Sequence, residues 1–183
     1  RLDARPDPAL RDVAREVGGA PGVRAAAAAR VDDGVRVTAH GGSAFVRLAV
    51  VDAAAYEQLL RASDLPDAPR LARLRSEVAD RVPALLLGGP AGLREDPVLR
   101  WEDAAVPLVA VGTAPDVGAS ADPVVVVDAD TLAAFGVVAE PDTVWAVGTG
   151  AASGLEDKGR APGRAVTTYD DELERRRDAA LPS

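Results

Sequence analysis

Cysteine is absent from this 183-residue chain, which excludes disulfides, thiolate metal sites and cysteine nucleophiles. That absence suits an exposed, oxidising location but selects no compartment. Methionine is absent as well. A gene product starts with methionine, so a chain that opens Arg-Leu-Asp-Ala-Arg-Pro is expected to be an excised piece, numbered from inside a larger protein. Histidine occurs once, at His40, and any histidine metal site or Ser-His-Asp triad would have to use it. Aromatic residues amount to 3%, too few for a platform on which nucleic-acid bases stack. No apolar run approaches the roughly 20 residues that cross a bilayer, and no secretory signal pattern opens the chain.

What is present is ordinary for a folded domain. Hydrophobic residues make up 48%, and the length suits one domain or two small lobes with a real core. Of the 21 basic residues, Lys158 is the only lysine and the rest are arginine, as coding in a GC-rich genome such as an actinobacterium's produces. The net charge of -8 argues against a broad nucleic-acid surface, which needs a positive field, and favours solubility.

One local phrase occurs twice: an apolar strand, an aspartate, then a helix start. The first copy is LAVVDAAAYEQLL (Leu48 to Leu60), the second VVVVDADTLAAFG (Val124 to Gly136). Around these copies the chain reads as follows. Asp7-Pro8 opens a helix, with Asp as N-cap and Pro in the first turn, and Leu10, Val13, Ala14 and Val17 form its apolar stripe up to Gly18-Gly19. Val23 to Ala39 predicts a hairpin turning at Asp33-Gly34, and the alternation beyond it puts His40 on a wet face. Ser43 to Val51 is a strand, followed by a helix whose inner face is Tyr56, Leu59 and Leu60. After a proline-rich stretch, Leu71, Leu74 and Val78 predict another helix, and Val82 to Leu87 a buried strand.

Gly88 to Asp96 is the candidate boundary between lobes at 1–88 and 97–168. Val98 to Val111 predicts one or two strands, interrupted near Asp103 and Pro107, and Thr113 to Pro123 a loop. Thr143 to Val147 is a strand, Gly148 to Gly163 a polar loop, and Arg164 to Thr168 a strand. The last segment, 169–183, predicts a helix that is acidic at its start and basic near its end, with Leu173 its one large apolar residue between Asp170 and Asp178. Short helices among local strands favour α+β, with mixed or antiparallel sheets and one βαβ-like unit per half, over a doubly wound parallel sheet.

The second copy of the phrase matches a phosphotransferase motif. In haloacid dehalogenase-type phosphatases an aspartate at the end of a strand attacks phosphorus, the next works as acid/base, and Mg2+ bridges the charges. Asp128 and Asp130 would take those roles, with Thr143 or Thr149, then Lys158, then Asp170-Asp171 downstream. Against it, only 55 residues follow Asp128, Lys158 lies in a glycine-rich stretch, and Asp52 in the first copy is followed by three alanines. An aspartate that ends a strand and caps a helix accounts for both copies. GGPAG (Gly88 to Gly92) and GTGAASG (Gly148 to Gly154) lack the spacing of dinucleotide or Walker loops and read as turns. Trp101 and Trp145 read as core. No catalytic, cofactor or metal residue is assigned.

Taken in order, VAREVGGAPGVRAA (Val13 to Ala26), VRLAVVDAAAYEQLL (Val46 to Leu60), VPALLLGG (Val82 to Gly89), VPLVAVG (Val106 to Gly112), DPVVVVDADTLAAFG (Asp122 to Gly136), TVWAVG (Thr143 to Gly148) and VTTYDDELERRRDAAL (Val166 to Leu181) span nearly the whole chain. In that order and spacing the chain resembles the extracytoplasmic domain of FtsX-like ABC-transporter permeases, of the MacB-like periplasmic core type, as found in large actinobacterial permeases. The resemblance implies a domain between two membrane helices, on the outer face of the cell membrane. It implies a permease dimer working with a cytoplasmic ATP-binding subunit, and an outer substrate or protein partner. It implies no cofactor and no catalytic residue here, so the chain is expected not to be an enzyme. A stand-alone cell-surface module that binds a ligand or peptide is the alternative, and a Mg2+-dependent phosphatase the third reading.

Overall fold

The computed structural model describes residues 1–63, 71–76, 78, 80–115, 122–168 and 171. The first helix, α1 (Leu10–Gly18), buries Leu10, Val13, Ala14 and Val17, the four residues of the predicted stripe. It starts three residues after Asp7, with Ala9 rather than the expected Asp7 at the N-cap position; the Asp7 carboxylate accepts the N–H of Ala9 at 2.9 Å in the turn before the helix. Nearby, Leu2–Asp3 forms the short strand β1. The expected hairpin at Asp33-Gly34 is corrected: β2 (Ala25–Ala39) runs straight through, and the chain reverses at His40-Gly41 into β3 (Gly42–Val51). Asp33-Gly34 is a bulge, with two residues opposite the single Arg47, and Gly34 has φ +72°. A tight turn and a bulge ask for the same left-handed residue, so the dipeptide alone does not separate them. The Arg47 guanidinium holds the bulged Asp33 at 2.5 Å and keeps its carboxyl below the usual range.

Beyond β3 the elements are α2 (Ala53–Ala62), a 3₁₀ turn at Leu71–Arg75, β4 (Val82–Leu87), a 3₁₀ turn at Ala91–Arg94, β5 (Val98–Trp101) and β6 (Ala104–Thr113). The helix expected through Leu71, Leu74 and Val78 is thus one 3₁₀ turn that buries Leu71 and Leu74. Then follow β7 (Val124–Asp128), α3 (Ala129–Ala134), β8 (Thr143–Val147), α4 (Ala151–Gly159) and β9 (Ala165–Val166). The polar loop expected over Gly148 to Gly163 is corrected too, because it contains α4 and buries Ala151 and Leu155. The expected C-terminal helix lies outside the described residues, apart from Asp171. Thr168 and Asp171 exchange the two reciprocal bonds of a capping box.

Strand pairing closes on itself. β3 pairs with β7, β7 with β4, β4 with β6, β6 with β5, β5 with β2, and β2 with β3 again. The result is a ring of mixed strands: β3–β7 and β4–β6 are parallel, and the other neighbours antiparallel. Its inward residues, among them Val37, Val46, Leu48, Leu86, Leu99, Leu108, Val125 and Val127, form the largest core. The stretches on either side of Gly88 to Asp96 contribute three strands each to this ring. On its outer surface Val51, Leu85, Val124 and Val126 pack under α2 through Tyr56, Leu59 and Leu60. Short helices on a mixed sheet make the fold α+β, as expected.

The sheet forks at β2. The C-terminal half of β2 pairs with β5 over Arg36–Thr38, inside the ring. Its N-terminal half instead pairs with β8 over Ala25–Ala29, and β8 carries β1, which carries β9. That arm has its own core of Leu2, Leu10, Val13, Val17, Val144 and Leu155. Ala25 to Ala29 is an all-alanine strand, a poor strand former by propensity. Packing explains it: Ala26 and Ala28 face α1, whereas Ala27 and Ala29 face the α2 side.

Candidate functional site

The two strand–aspartate–helix phrases are neighbours in space. β3 and β7 lie parallel with Val51 opposite Asp128, so α2 and α3 start side by side. Asp52 caps α2, accepting from Ala55 N–H at 2.9 Å. Asp128 caps α3, with Oδ2 accepting from Thr131 N–H at 3.1 Å. The cap assignment is therefore observed for both copies. Asp128 does more than its twin. Its Oδ1 accepts from Ala53 N–H, the first residue of α2, at 3.0 Å, so one carboxylate serves two helix starts. Arg75 joins the pair, with Nη2 3.3 Å from Asp52 and Nε 3.4 Å from Asp128. Asp128 is 1% exposed, while the Asp52 side chain is 55% exposed.

A nucleophilic aspartate needs an oxygen free to meet phosphorus. Both oxygens of Asp128 are instead held by backbone N–H groups, with Thr131 Oγ1 3.1 Å from Oδ2. The other residues of that motif go elsewhere. Asp130 is exposed, Thr143 Oγ1 donates toward Asp142 and Asp3, and Lys158 is paired with Glu16 of α1. Asp170 lies outside the described residues, and Asp171 completes the capping box. No group of three or more His, Asp or Glu able to hold a metal occurs among the described residues.

Two clefts flank the aspartate pair. One, of about 360 Å³, lies between Arg11 and Arg15 of α1 and Asp52 and Asp130, with the alanine strand as floor. The other, of about 670 Å³, is lined by Arg75, Arg81, Asp130, Thr131 and Phe135. His40 is exposed at the hairpin turn, and Phe45, opposite Arg36 on β3, is 67% exposed. Trp101 is core, as expected, but its Nε1 donates to Asp32 at 2.9 Å. Trp145 is half-buried and packs on Tyr56 with ring centroids 5.5 Å apart.

The Tyr56 hydroxyl is buried without a hydrogen-bond partner among the described residues. Burial raises its pKa well above the ordinary tyrosine value. The folded state thus disfavours the phenolate, and stability present below about pH 10 should be lost as the pH rises beyond it. Tyr56→Phe removes an unsatisfied polar group. We expect it to leave stability at pH 7 unchanged or raised by about 1 kcal/mol, and to reduce the alkaline loss. Denaturant melts at pH 7 and pH 11 measure both, and a variant weaker than the parent at pH 7 would show that the hydroxyl has a partner.

No protein-family model and no curated protein matches the chain. Among solved structures it is similar to the extracellular domain of the noncanonic ABC-type transporter YknZ from Gram-positive bacteria. The identity is 14% and the TM-score 0.53, over 91% of this chain and 98% of that one. The chain thus shares its α+β fold with the extracellular domain of an ABC-type transporter.

Proposed function

We propose that the chain is the extracytoplasmic domain of an ABC-transporter permease, set between two membrane segments and devoid of catalysis of its own. The observation that carries this reading is the pairing of β1 with β9, which sets residues 1–3 beside residues 165–167. Leu2 lies opposite Val166 in β1–β9, the backbone nitrogen of Arg1 donates to Thr167 O at 2.8 Å, and Thr167 N–H donates to Arg1 O at 2.7 Å. A domain inserted into a membrane protein receives and returns the chain at one place, and these strands do so. The fold shared with the YknZ extracellular domain supports the same reading.

In this reading a cytoplasmic ATP-binding subunit drives the membrane segments of a permease dimer. Movement enters at β1 and β9 and passes through β8 to the N-terminal half of β2. From there it reaches the ring, whose surface meets an outer substrate or partner protein.

The flanking gene sequence tests this. Apolar spans of about 20 residues should lie on both sides. A secretion signal and a stop codon there would instead support a stand-alone module. In intact cells, Ser153→Cys on the exposed face of α4 should react with a membrane-impermeant maleimide where the parent protein does not. Labelling only after lysis would place the domain inside the cell.

A further inference from the structure

The fork in β2 has a bridge on each side. On one side α2 covers the core that Ala27 and Ala29 share with the outer surface of the ring. On the open side, β8 pairing stops at Ala29 and β5 pairing starts at Arg36, so the strand between them has no ladder partner there. A polar cluster fills that gap. Asp142, just before β8, accepts the otherwise unpaired N–H of Val31 at 2.9 Å. Ala4 N–H donates to the Asp142 carbonyl at 2.8 Å, which ties in the chain start.

Arg30 is the centre of the cluster. Its guanidinium reaches Asp142 of the arm at 3.4 Å, Asp32 of β2 at 3.5 Å and Glu102 of the ring at 3.5 Å, and it lies 5.7 Å from the Trp101 ring centroid. Two features mark this as a latch rather than a tightly locked contact. Every ion pair is at the long end of the range, and Arg30 Nε is buried without a hydrogen bond. The turn that presents Glu102 is strained as well. Glu102 and Asp103 have φ of +49° and +60°, where Asn-Gly is the low-cost choice.

We infer that Arg30 is a positioning residue that latches the arm carrying β1 and β9 to the β5–β6 turn of the ring, so that its release opens the fork about the α2 side. That the arm is the moving part rests on the permease reading; the latch itself is a property of the isolated chain.

Paired spin labels test it. Ser153→Cys on α4 and Asp103→Cys on the β5–β6 turn report the arm-to-ring distance by pulsed electron resonance. The parent should give one narrow distribution, Arg30→Gln a broad one with an added longer distance, and Arg30→Lys a distribution close to the parent. Asp142→Asn, which keeps an acceptor for Val31 N–H, should broaden the distribution less than Arg30→Gln. An unchanged distribution in Arg30→Gln, with or without a lower melting temperature, would overturn the latch, leaving the cluster as packing alone. Absence of membrane spans in the flanking gene would instead remove the permease reading and leave the latch standing.

Discussion

Asp128→Ala should lower the unfolding free energy by about 3 kcal/mol, against about 1 kcal/mol for Asp52→Ala, although the two aspartates hold equivalent places in the repeated phrase. Asp52 is half-exposed, and the Ala55 N–H that it caps can turn to water when it is removed. That is an ordinary cap loss of about 0.5–2 kcal/mol. Asp128 is buried and holds two amides, Thr131 N–H of its own helix and Ala53 N–H of the neighbouring one. Ala53 is itself 2% exposed, so its amide gains no water in return, which adds a penalty of about 1–3 kcal/mol. Arg75 adds little, because its side chain is 45% exposed and its charge can be solvated.

Asp128→Asn should fall between the two variants, since its amide oxygen keeps one acceptor while its NH2 meets a donor. Urea unfolding with an unchanged m-value reads these differences directly. At this chain length a loss of about 3 kcal/mol corresponds to a fall of roughly 6–12 °C in melting temperature. Equal losses for Asp52→Ala and Asp128→Ala would show that the shared cap carries no energy. Mg2+-dependent phosphomonoester hydrolysis that vanished in a fully stable Asp128→Asn would make the carboxylate a nucleophile instead.

The contrast between these aspartates shows where sequence reading stops. The cap itself was legible, because a strand ending in Asp before a run of helix formers leaves few alternatives. Its sharing was not legible. It needs β3 and β7 to be parallel neighbours with Val51 opposite Asp128, a register set between segments some 75 residues apart. The ring closure is non-local in the same way, and so is the fork in β2. Elements with strong local patterns came out close to their bounds: α1 by its apolar stripe, β4 by a run of buried residues, and β8 between Thr143 and Val147.

Two elements were misread for local reasons. Asp33-Gly34 satisfies a bulge as well as a turn. In α4, Gly154 and Gly159 depress helix propensity, yet a Cβ on Gly159 would lie 2.4 Å from Val166 Cγ2, whereas Gly154 has ordinary room for one beside Val17, Val23 and Ala20. The Arg30 latch left no sequence signal, because Arg30, Glu102 and Asp142 belong to three separate segments.

Gly150→Ala should cost about 3 kcal/mol or more. The loop Ala20 to Val23 and the loop Gly148 to Gly150 interlock backbone to backbone. Gly150 N–H donates to Gly22 O at 3.0 Å, and Arg24 N–H to Val147 O at 2.8 Å. A Cβ on Gly150 would lie 2.0 Å from Pro21 O, and one on Gly148 would lie 2.3 Å from Gly22 O. Gly150 has φ of -93°, which any residue adopts, so the expected loss is steric alone.

Gly163→Ala is the control. Its φ is +77° with open space around it, and the conformational cost should be about 1 kcal/mol. If Gly150→Ala were no worse than Gly163→Ala, the loops would separate freely. In hydrogen exchange, Gly150→Ala should first expose the amides of Arg24 and Gly150, then those of β8 and β1, while ring amides such as Val126 stay protected. That order matters for the transport reading. The interlock clamps α4 and β8 onto α1 and β2, so the arm that carries β1 and β9 is braced as one body. In the proposed permease a braced arm would pass movement on without absorbing it, and the proposed latch at Arg30 would then set where the molecule bends.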